Sequence, residues 1–191
     1  VEISLENADT VIESSDHKEL TATRNNDGKL GYTQVFSLVD GQIKSQSIQA
    51  NGKDSIELEP TDKITVNGNG LKIARTSLNP VIYETYDENG NLTELKIGAK
   101  SVFVPQGATI THNSDNITLT TIEGANKISF NLVYDIKTGN LKNTSTIKFG
   151  EGTSAQTQTL SANDTIKYIN EDFVAIENNE TLKIYNKNTG V

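Results

Sequence analysis

The sequence predicts an all-β fold, a jelly roll or elongated β-sandwich of meandering antiparallel strands with almost no helix. Apolar and polar residues alternate with period two in many segments, such as 55–58 (SIEL), 63–66 (KITV), 116–119 (NITL) and 181–184 (TLKI). This alternation is typical of half-buried strands. Asn-Gly and Asp-Gly pairs separate the alternating runs, and both accept the positive φ of tight hairpin turns. No segment keeps an apolar stripe of helical spacing over three turns, which argues against helices.

The chain organisation favours one domain with internal similarity. A length of 191 residues fits a single domain, and no composition shift marks a boundary, so we expect residues 1–191 to form one all-β domain. Two hairpins look alike, 86–92 (YDENGNL) and 134–141 (YDIKTGNL). The alternating strands of 54–73 also align with those of 164–184, which indicates repeated β units, with chance alignment as the alternative.

Charge and composition limit the classes of partner that the sequence predicts. The net charge of −8 offers no cationic footprint for nucleic acid, so we expect no nucleic-acid partner. No apolar run approaches the roughly 20 residues of a spanning helix, so we expect no membrane-spanning helix. The absence of Cys excludes disulfides and thiol nucleophiles. The chain begins at Val1 without Met, and we expect that an export signal has been removed and that the protein is periplasmic or extracellular.

The sequence contains no motif that indicates catalysis, a metal or a cofactor. His17 and His112 are the only histidines, and neither has the spacing of a metal pair or a nucleophile elbow nearby. The run 87–91 (DENGN) resembles a calcium loop only superficially, because the glycine comes fourth and no closing Glu follows. Paired carboxylates are frequent, but stacking aromatics are scarce and no Trp is present. We therefore expect a protein that is not an enzyme and binds no cofactor.

The C-terminal third resembles a known family. Segments 160–168 (LSANDTIKY), 171–176 (EDFVAI) and 182–184 (LKI) follow the strand–turn–strand rhythm of the OstA-like family of periplasmic lipopolysaccharide-transport proteins. Residues 133–141 resemble its recurring hairpin, and residues 48–73 follow the same rhythm. The resemblance implies a twisted, slot-like jelly roll whose apolar interior carries acyl chains. It also implies that subunits join end to end by strand pairing, with one another or with another envelope β protein.

The resemblance also implies which residues would line the slot. An ordinary closed core is the alternative interpretation of the same residues, since both need inward apolar side chains. The implied slot residues, which would contact an amphiphilic lipid, are Ile56, Leu58, Ile64, Val66, Val102, Val104, Ile110, Ile117, Leu119, Ile166, Tyr168, Val174 and Ile176.

Two phenylalanines suggest a further surface. Phe103 lies between the inward positions Val102 and Val104, and Phe173 precedes inward Val174. By period two both rings should point away from the interior, onto a second packed layer or a partner surface.

Three functions follow from these observations. The first is a non-enzymatic periplasmic protein that carries or bridges lipopolysaccharide, as the resemblance implies. The second is an extracellular structural subunit of a filament, fibre or surface layer, because the strand-like segments 1–5 and 182–185 could complete a neighbour's sheet edge. The third is a carbohydrate-binding or adhesive module, for which stacking aromatics are few.

Overall fold

The computed structural model describes residues 8–25, 27–121, 128–150, 155–168, 172–179 and 181–190. Within these ranges the chain forms strands, turns and bends, and no helix. The all-β prediction is confirmed. The strands are β1 (Thr10–Glu13), β2 (Glu19–Arg24), β3 (Gly31–Ser37), β4 (Ile43–Gln49), β5 (Ile56–Leu58), β6 (Lys63–Asn67), β7 (Gly70–Arg75), β8 (Ile82–Tyr86), β9 (Leu92–Ile97), β10 (Lys100–Val102), β11 (Thr109–His112), β12 (Asn116–Thr120), β13 (Ile128–Asp135), β14 (Thr146–Phe149), β15 (Gln156–Thr159), β16 (Asp164–Tyr168), β17 (Phe173–Asn178) and β18 (Thr181–Asn186).

The described strands form four antiparallel sheets, and in each sheet the strands follow chain order. The first sheet contains β1 to β5, the second β6 to β10 and the third β11 to β15, while the fourth contains β16 to β18. Meandering antiparallel strands are therefore confirmed, whereas the jelly-roll detail is not. Each sheet is a sequence of hairpins, because short turns return the chain directly to its neighbour; some contain Gly, as at Gly68 and Gly98, and others, such as 113–115, do not.

The observed strand pairing differs from the internal repeat that the sequence suggested. The aligned segments 54–73 and 164–184 do contain three strands each, as predicted. However, β5 pairs with β4 of the first sheet, whereas its aligned counterpart β16 pairs with β17. The predicted copies are therefore not equivalent units, because the first copy crosses from one sheet into the next.

The chain divides into two compact units, Val1–Glu94 and Leu95–Val191, with the division inside β9. The expectation of a single domain stays a prediction, since one strand contributes to both units.

The core of the first unit combines apolar packing with buried charge. Ile48, Leu71, Ile73 and Ile82 are fully buried. Among them, Arg75 on β7 donates two hydrogen bonds to the carboxylate of Glu84 on β8, at 3.0 and 3.3 Å. A bidentate pair of this kind is stronger than a single neutral hydrogen bond.

The buried ion pair extends into the first sheet. Arg75 also donates to the backbone carbonyl of Glu57 at 3.3 Å and to the Asp62 carboxylate at 3.4 Å. Burial alone would lower the pKa of Arg75, but the adjacent Glu84 carboxylate raises it above its usual value. Gln46 of β4 donates to the carbonyl of Asp62 at 2.8 Å, and Gln34 of β3 donates to Gln46 at 2.8 Å. This polar network fixes how β3, β4 and β5 meet β7 and β8.

The second unit has an apolar and aromatic core. Ile117, Leu119, Leu132 and Ile147 are fully buried on the third sheet. At the C-terminal end of β14, the ring of Phe149 stacks on the ring of Tyr185 in β18. The ring centroids are 5.4 Å apart and the ring planes differ by 20°. Offset aromatic pairs at this distance are favourable beyond their buried area, so this pair attaches the fourth sheet to the third.

Candidate functional site

The residues implied as a lipid slot are partly in the core. Seven are buried, and Ile56, Val66, Val102, Val104 and Ile110 are half-buried. The seven buried residues are Leu58, Ile64, Ile117, Leu119, Ile166, Val174 and Ile176. The side chain of Tyr168 lies outside the described residues. The predicted lipid contact stays a prediction.

The two phenylalanines differ in their surroundings. Phe103 follows the end of β10 and is half-buried against Phe130, with ring centroids 5.8 Å apart. The hydroxyl of Tyr134 donates to the carbonyl of Phe103 at 3.1 Å, and burial raises the pKa of Tyr134. Phe173 begins β17 and is half-buried. Phe103 therefore packs against Phe130, and for both phenylalanines the second packed layer and the partner surface stay predictions.

A recurring turn is the main feature that the sequence revealed only in part. We call residues 37–42, 87–91, 135–140 and 186–190 the repeat turns 1 to 4. Each follows an aromatic residue at the end of a strand, and these aromatics, Phe36, Tyr86, Tyr134 and Tyr185, stand 50, 48 and 51 residues apart. The third strand of each sheet therefore ends in the same way.

The four repeat turns share their backbone hydrogen bonds. In each, the N–H of the glycine donates to the carbonyl of the first turn residue, at 2.8, 3.0, 2.8 and 2.7 Å in turns 1 to 4. The glycines Gly41, Gly90, Gly139 and Gly190 all have φ between 65° and 74°, a region that L side chains avoid.

The side chain of the first turn residue closes the same loop in all four turns. Ser37, Asp87, Asp135 and Asn186 each accept a hydrogen bond from a backbone N–H two or three residues later, at 3.3, 2.9, 2.9 and 2.9 Å respectively. This is an Asx or Ser turn.

Two of these side chains are aspartates with lowered pKa values. The pKa of Asp135 is lowered by the backbone N–H and hydroxyl of Thr138. For Asp87, burial alone would raise the pKa, but hydrogen bonds from Asn91 and Asn89 lower it overall. Both turns therefore hold a carboxylate in its charged form.

The glycines of turns 2 to 4 pack against residues that precede them in the chain. A Cβ at Gly90 would lie 2.8 Å from the Cβ of Ala50, just after β4, and one at Gly139 would lie 3.5 Å from the Cβ of Ile97 at the end of β9. A Cβ at Gly190 would lie 2.8 Å from the Cβ of Gln156 and 3.1 Å from that of Phe149. Each of these turns therefore contacts the fourth strand of the preceding sheet or the segment that follows it.

Lysines reinforce two of these contacts. Lys53 donates to the carbonyl of Gly90 at 2.8 Å and to the side chain of Asn91 at 2.7 Å. Lys100 donates to the side chain of Asn140 in turn 3. Turns 2 and 3 were recognisable in the sequence through their shared Tyr-Asp and Gly-Asn-Leu residues. Turns 1 and 4 were not matched to them, although turn 4 keeps the Tyr-Asx-x-x-Thr-Gly pattern of turn 3 and the aromatics before all four turns stand about 50 residues apart.

The terminal strands carry exposed apolar side chains. In β1, Val11 is 46% exposed and Ile12 is 61% exposed, and among the described strands β1 pairs only with β2. In β18, Leu182 is 57% exposed and Ile184 is 54% exposed, and the one strand that pairs with β18 in the described part of the chain is β17. Segment 182–185, expected to be strand-like, lies in β18, whereas segment 1–5 lies outside the described residues. An exposed edge with apolar side chains can pair with another strand.

Other candidate chemistry is limited in the described part of the chain. His17 is exposed and lies 2.7 Å from Glu13, while His112 is half-buried in β11. Among the described residues, no three His, Asp or Glu side chains are grouped to hold a metal ion. Three surface depressions there have volumes of about 200, 220 and 160 Å³. Each is smaller than the roughly 300–1,000 Å³ of typical small-molecule pockets.

The described residues define a class of fold rather than a family. The chain is an all-β protein built from consecutive antiparallel meanders, and each meander contains the same type of turn. No family model matches the chain, and neither does any curated protein or solved structure. No helix in the described residues is long and apolar enough to span a membrane.

Proposed function

We propose that this chain is a non-enzymatic, exported structural protein that assembles into a filament, fibre or surface layer by pairing its open sheet edges. One observation carries the proposal: of the eight edge strands among the described residues, β1 and β18 expose large apolar side chains. Monomeric proteins usually protect such edges with charge, proline or bulges. Pairing an edge satisfies its backbone groups and removes its apolar surface from water.

The repeated construction supports a structural role. A protein made of similar β-meanders, in which a repeat turn packs on residues of the preceding sheet, can be extended by adding meanders without redesigning a core. The interior of each unit is occupied by the chain's own side chains, since the core isoleucines, leucines and tyrosines are buried. Because of this packing, we favour assembly over lipid carriage as the function of the chain.

The test compares the wild-type chain with two lysine variants. Size-exclusion chromatography with light scattering, followed by negative-stain microscopy, should show oligomers or polymers of the wild type that grow with concentration. Ile184→Lys should shift the population to monomers, because a charge on an edge strand opposes pairing. Val39→Lys is the matched control, because Val39 is 79% exposed but lies in turn 1 rather than on an edge strand.

Strict monomers of the wild type at every concentration, salt level and calcium level would contradict assembly. Equal loss of assembly in both lysine variants would also contradict it, because the effect would then come from added charge and not from the edge.

A further inference from the structure

We propose that Asn51 is a site of spontaneous deamidation, and that the isoaspartate formed there loosens the docking of repeat turn 2. The modification takes place within the first unit and does not require assembly. The sequence contains four Asn-Gly pairs, and the fold places them in different surroundings. These pairs are 51–52, 67–68, 69–70 and 89–90.

The reaction needs only the chain and water. The backbone nitrogen of Gly52 attacks Cγ of Asn51 and forms a new N–C bond. The side-chain nitrogen of Asn51 leaves as ammonia and takes the amide proton of Gly52, so that a cyclic succinimide remains. Water then opens the ring. Addition at Cγ gives aspartate, and addition at the main-chain carbonyl gives isoaspartate. A following glycine favours the attack because it has no Cβ beside the reacting nitrogen.

The first pair lies at the tip of a turn whose ends are held. The N–H of Lys53 donates to the carbonyl of Ala50 at 3.1 Å, while Asn51 and Gly52 between them are exposed. Within the described part of the chain, the side chain of Asn51 and the N–H of Gly52 make no hydrogen bond. A Cβ on Gly52 would meet nothing within 4 Å. The reacting groups can therefore approach each other without breaking a hydrogen bond.

The pair in repeat turn 2 is held at the attacking nitrogen. The N–H of Gly90 donates to the carbonyl of Asp87 at 3.0 Å, and Gly90 packs against Ala50. Before its nitrogen can attack Asn89, this hydrogen bond must open. Local opening of a docked turn costs free energy and lowers the reactive population.

The remaining two pairs are held by strand pairing and by a side-chain hydrogen bond. Asn67 pairs with Gly70 at the end of the hairpin between β6 and β7. The side-chain nitrogen of Asn69 donates to the carboxylate of Glu88 at 3.2 Å. Each pair must open locally before it can react, so we expect both to react more slowly than the pair at Asn51.

The position of Asn51 gives its modification a consequence for the fold. On one side of it Ala50 receives Gly90, and on the other side Lys53 donates to the carbonyl of Gly90 at 2.8 Å and to the side chain of Asn91 at 2.7 Å. Isoaspartate places Cβ in the main chain and so adds one backbone atom between these two contacts. Ala50 and Lys53 are then displaced relative to each other, and the docking of turn 2 weakens.

The first measurement follows deamidation of the folded full chain at alkaline pH, where the attacking nitrogen loses its proton more readily. Peptide mapping by mass spectrometry distinguishes asparagine, aspartate and isoaspartate at each of the four pairs. We expect Asn51 to react at least about tenfold faster than Asn89, because turn 2 must open before Asn89 can react. In a denaturing concentration of urea the four rates should become similar, because the protecting contacts are lost.

The second measurement is hydrogen exchange of the Gly90 amide, the donor that closes turn 2. We expect exchange to be at least about tenfold faster in molecules that carry isoaspartate at position 51 than in the fresh chain. Asn51→Gln, aged in the same way, should keep the slow exchange. Freshly prepared Asn51→Asp is the control for charge, because it adds the same negative charge without an additional backbone atom, and it should also keep the slow exchange.

Equal rates at Asn51 and Asn89 in the folded chain would overturn the assignment of the site. So would an unreacted Asn51 under conditions where the denatured chain deamidates. Unchanged exchange of Gly90 in the isoaspartate form, or equally fast exchange in fresh Asn51→Asp, would overturn the effect of the added backbone atom on turn 2. These readouts do not depend on oligomeric state, so their failure and the failure of the proposed function are distinguishable.

Discussion

Gly90 in repeat turn 2 combines two constraints that can be measured separately. Its φ of 70° disfavours any side chain, and an added Cβ would lie 2.8 Å from the Cβ of Ala50. Gly52 has nearly the same φ, 73°, but a Cβ there would meet nothing within 4 Å. The pair therefore distinguishes the cost of backbone strain from the cost of a steric overlap.

We expect Gly90→Ala to destabilise the chain by about 1–3 kcal/mol more than Gly52→Ala, because overpacking adds to the strain that both variants share. Urea unfolding followed by circular dichroism would measure the two free energies of unfolding. Equal losses in the two variants would mean that turn 2 does not pack tightly against the segment after β4.

Asp87 gives turn 2 a dependence on pH. Hydrogen bonds from Asn91 and Asn89 outweigh burial and lower its pKa in the folded chain. A lowered folded pKa means that the stabilisation is present above the unfolded pKa of about 4 and is lost as pH falls through the folded value. Asp87→Asn keeps an acceptor oxygen but carries no titrating charge.

We therefore expect the stability advantage of the wild type over Asp87→Asn to be present near neutral pH and to disappear in acid. Thermal unfolding of both proteins from about pH 7 to about pH 3 would measure this difference. A difference that stays constant over this range would show that the Asp87 carboxylate is not specifically stabilised.

At the scale of elements, the Arg75 network joins two sheets through a buried charge. Arg75 contacts Glu84 and Asp62, and both carboxylate side chains are fully buried. Removing one partner of a buried ion pair leaves the other charge without compensation, which typically costs about 3–5 kcal/mol.

We expect Arg75→Met to lose about that amount of stability, and the double variant Arg75→Met/Glu84→Leu to lose less, because it also removes the uncompensated carboxylate. Chemical denaturation of both variants would measure the free energies of unfolding. A double variant that is less stable than Arg75→Met would indicate that Glu84 stabilises the fold through contacts other than the ion pair.

The elements also show how far sequence reasoning reaches. Alternation and Gly-containing turns predicted strands such as β6, β7, β12 and β18, because a half-buried strand needs period two whatever its neighbours are. Which strands pair with each other was harder to predict, because the same alternation is compatible with pairing to either neighbouring strand. The sequence could therefore align 54–58 with 164–168 although the two strands pair differently.

In the sequence, the recurring turn was recognised only where two turns have the same residues at several positions. Turns 2 and 3 share Tyr-Asp and Gly-Asn-Leu, whereas turn 1 uses Phe36 and Ser37 for the same purpose. A Ser hydroxyl can close the loop as an Asp carboxylate does. The same turn therefore forms in turn 1 although the Tyr-Asp motif is absent from its sequence. The exposure of β18 could not be predicted from its sequence, because TLKI reads like any half-buried strand.

At the scale of the whole molecule, net charge opposes association. Each chain carries −8, so two chains that approach repel each other. Between about 10 mM and about 1 M salt the Debye length falls from about 30 Å to about 3 Å. Pairing of apolar edges should therefore strengthen as salt is added.

We expect the mass of the assembled wild type, measured by light scattering at constant protein concentration, to increase with sodium chloride. Ile184→Lys should remain monomeric over the same range. Dissociation of the wild type by salt would show that charge pairs, rather than apolar edges, hold the copies together.

The contacts of the repeat turns have a direction along the chain. Turn 2 packs on Ala50, turn 3 on Ile97 and turn 4 on Phe149 and Gln156, so each turn meets residues that come before it. A ribosome synthesises the chain from its N-terminus, and folding can begin during synthesis. Turns 2 to 4 therefore each emerge after the residues that receive them, so their docking can follow the order of translation.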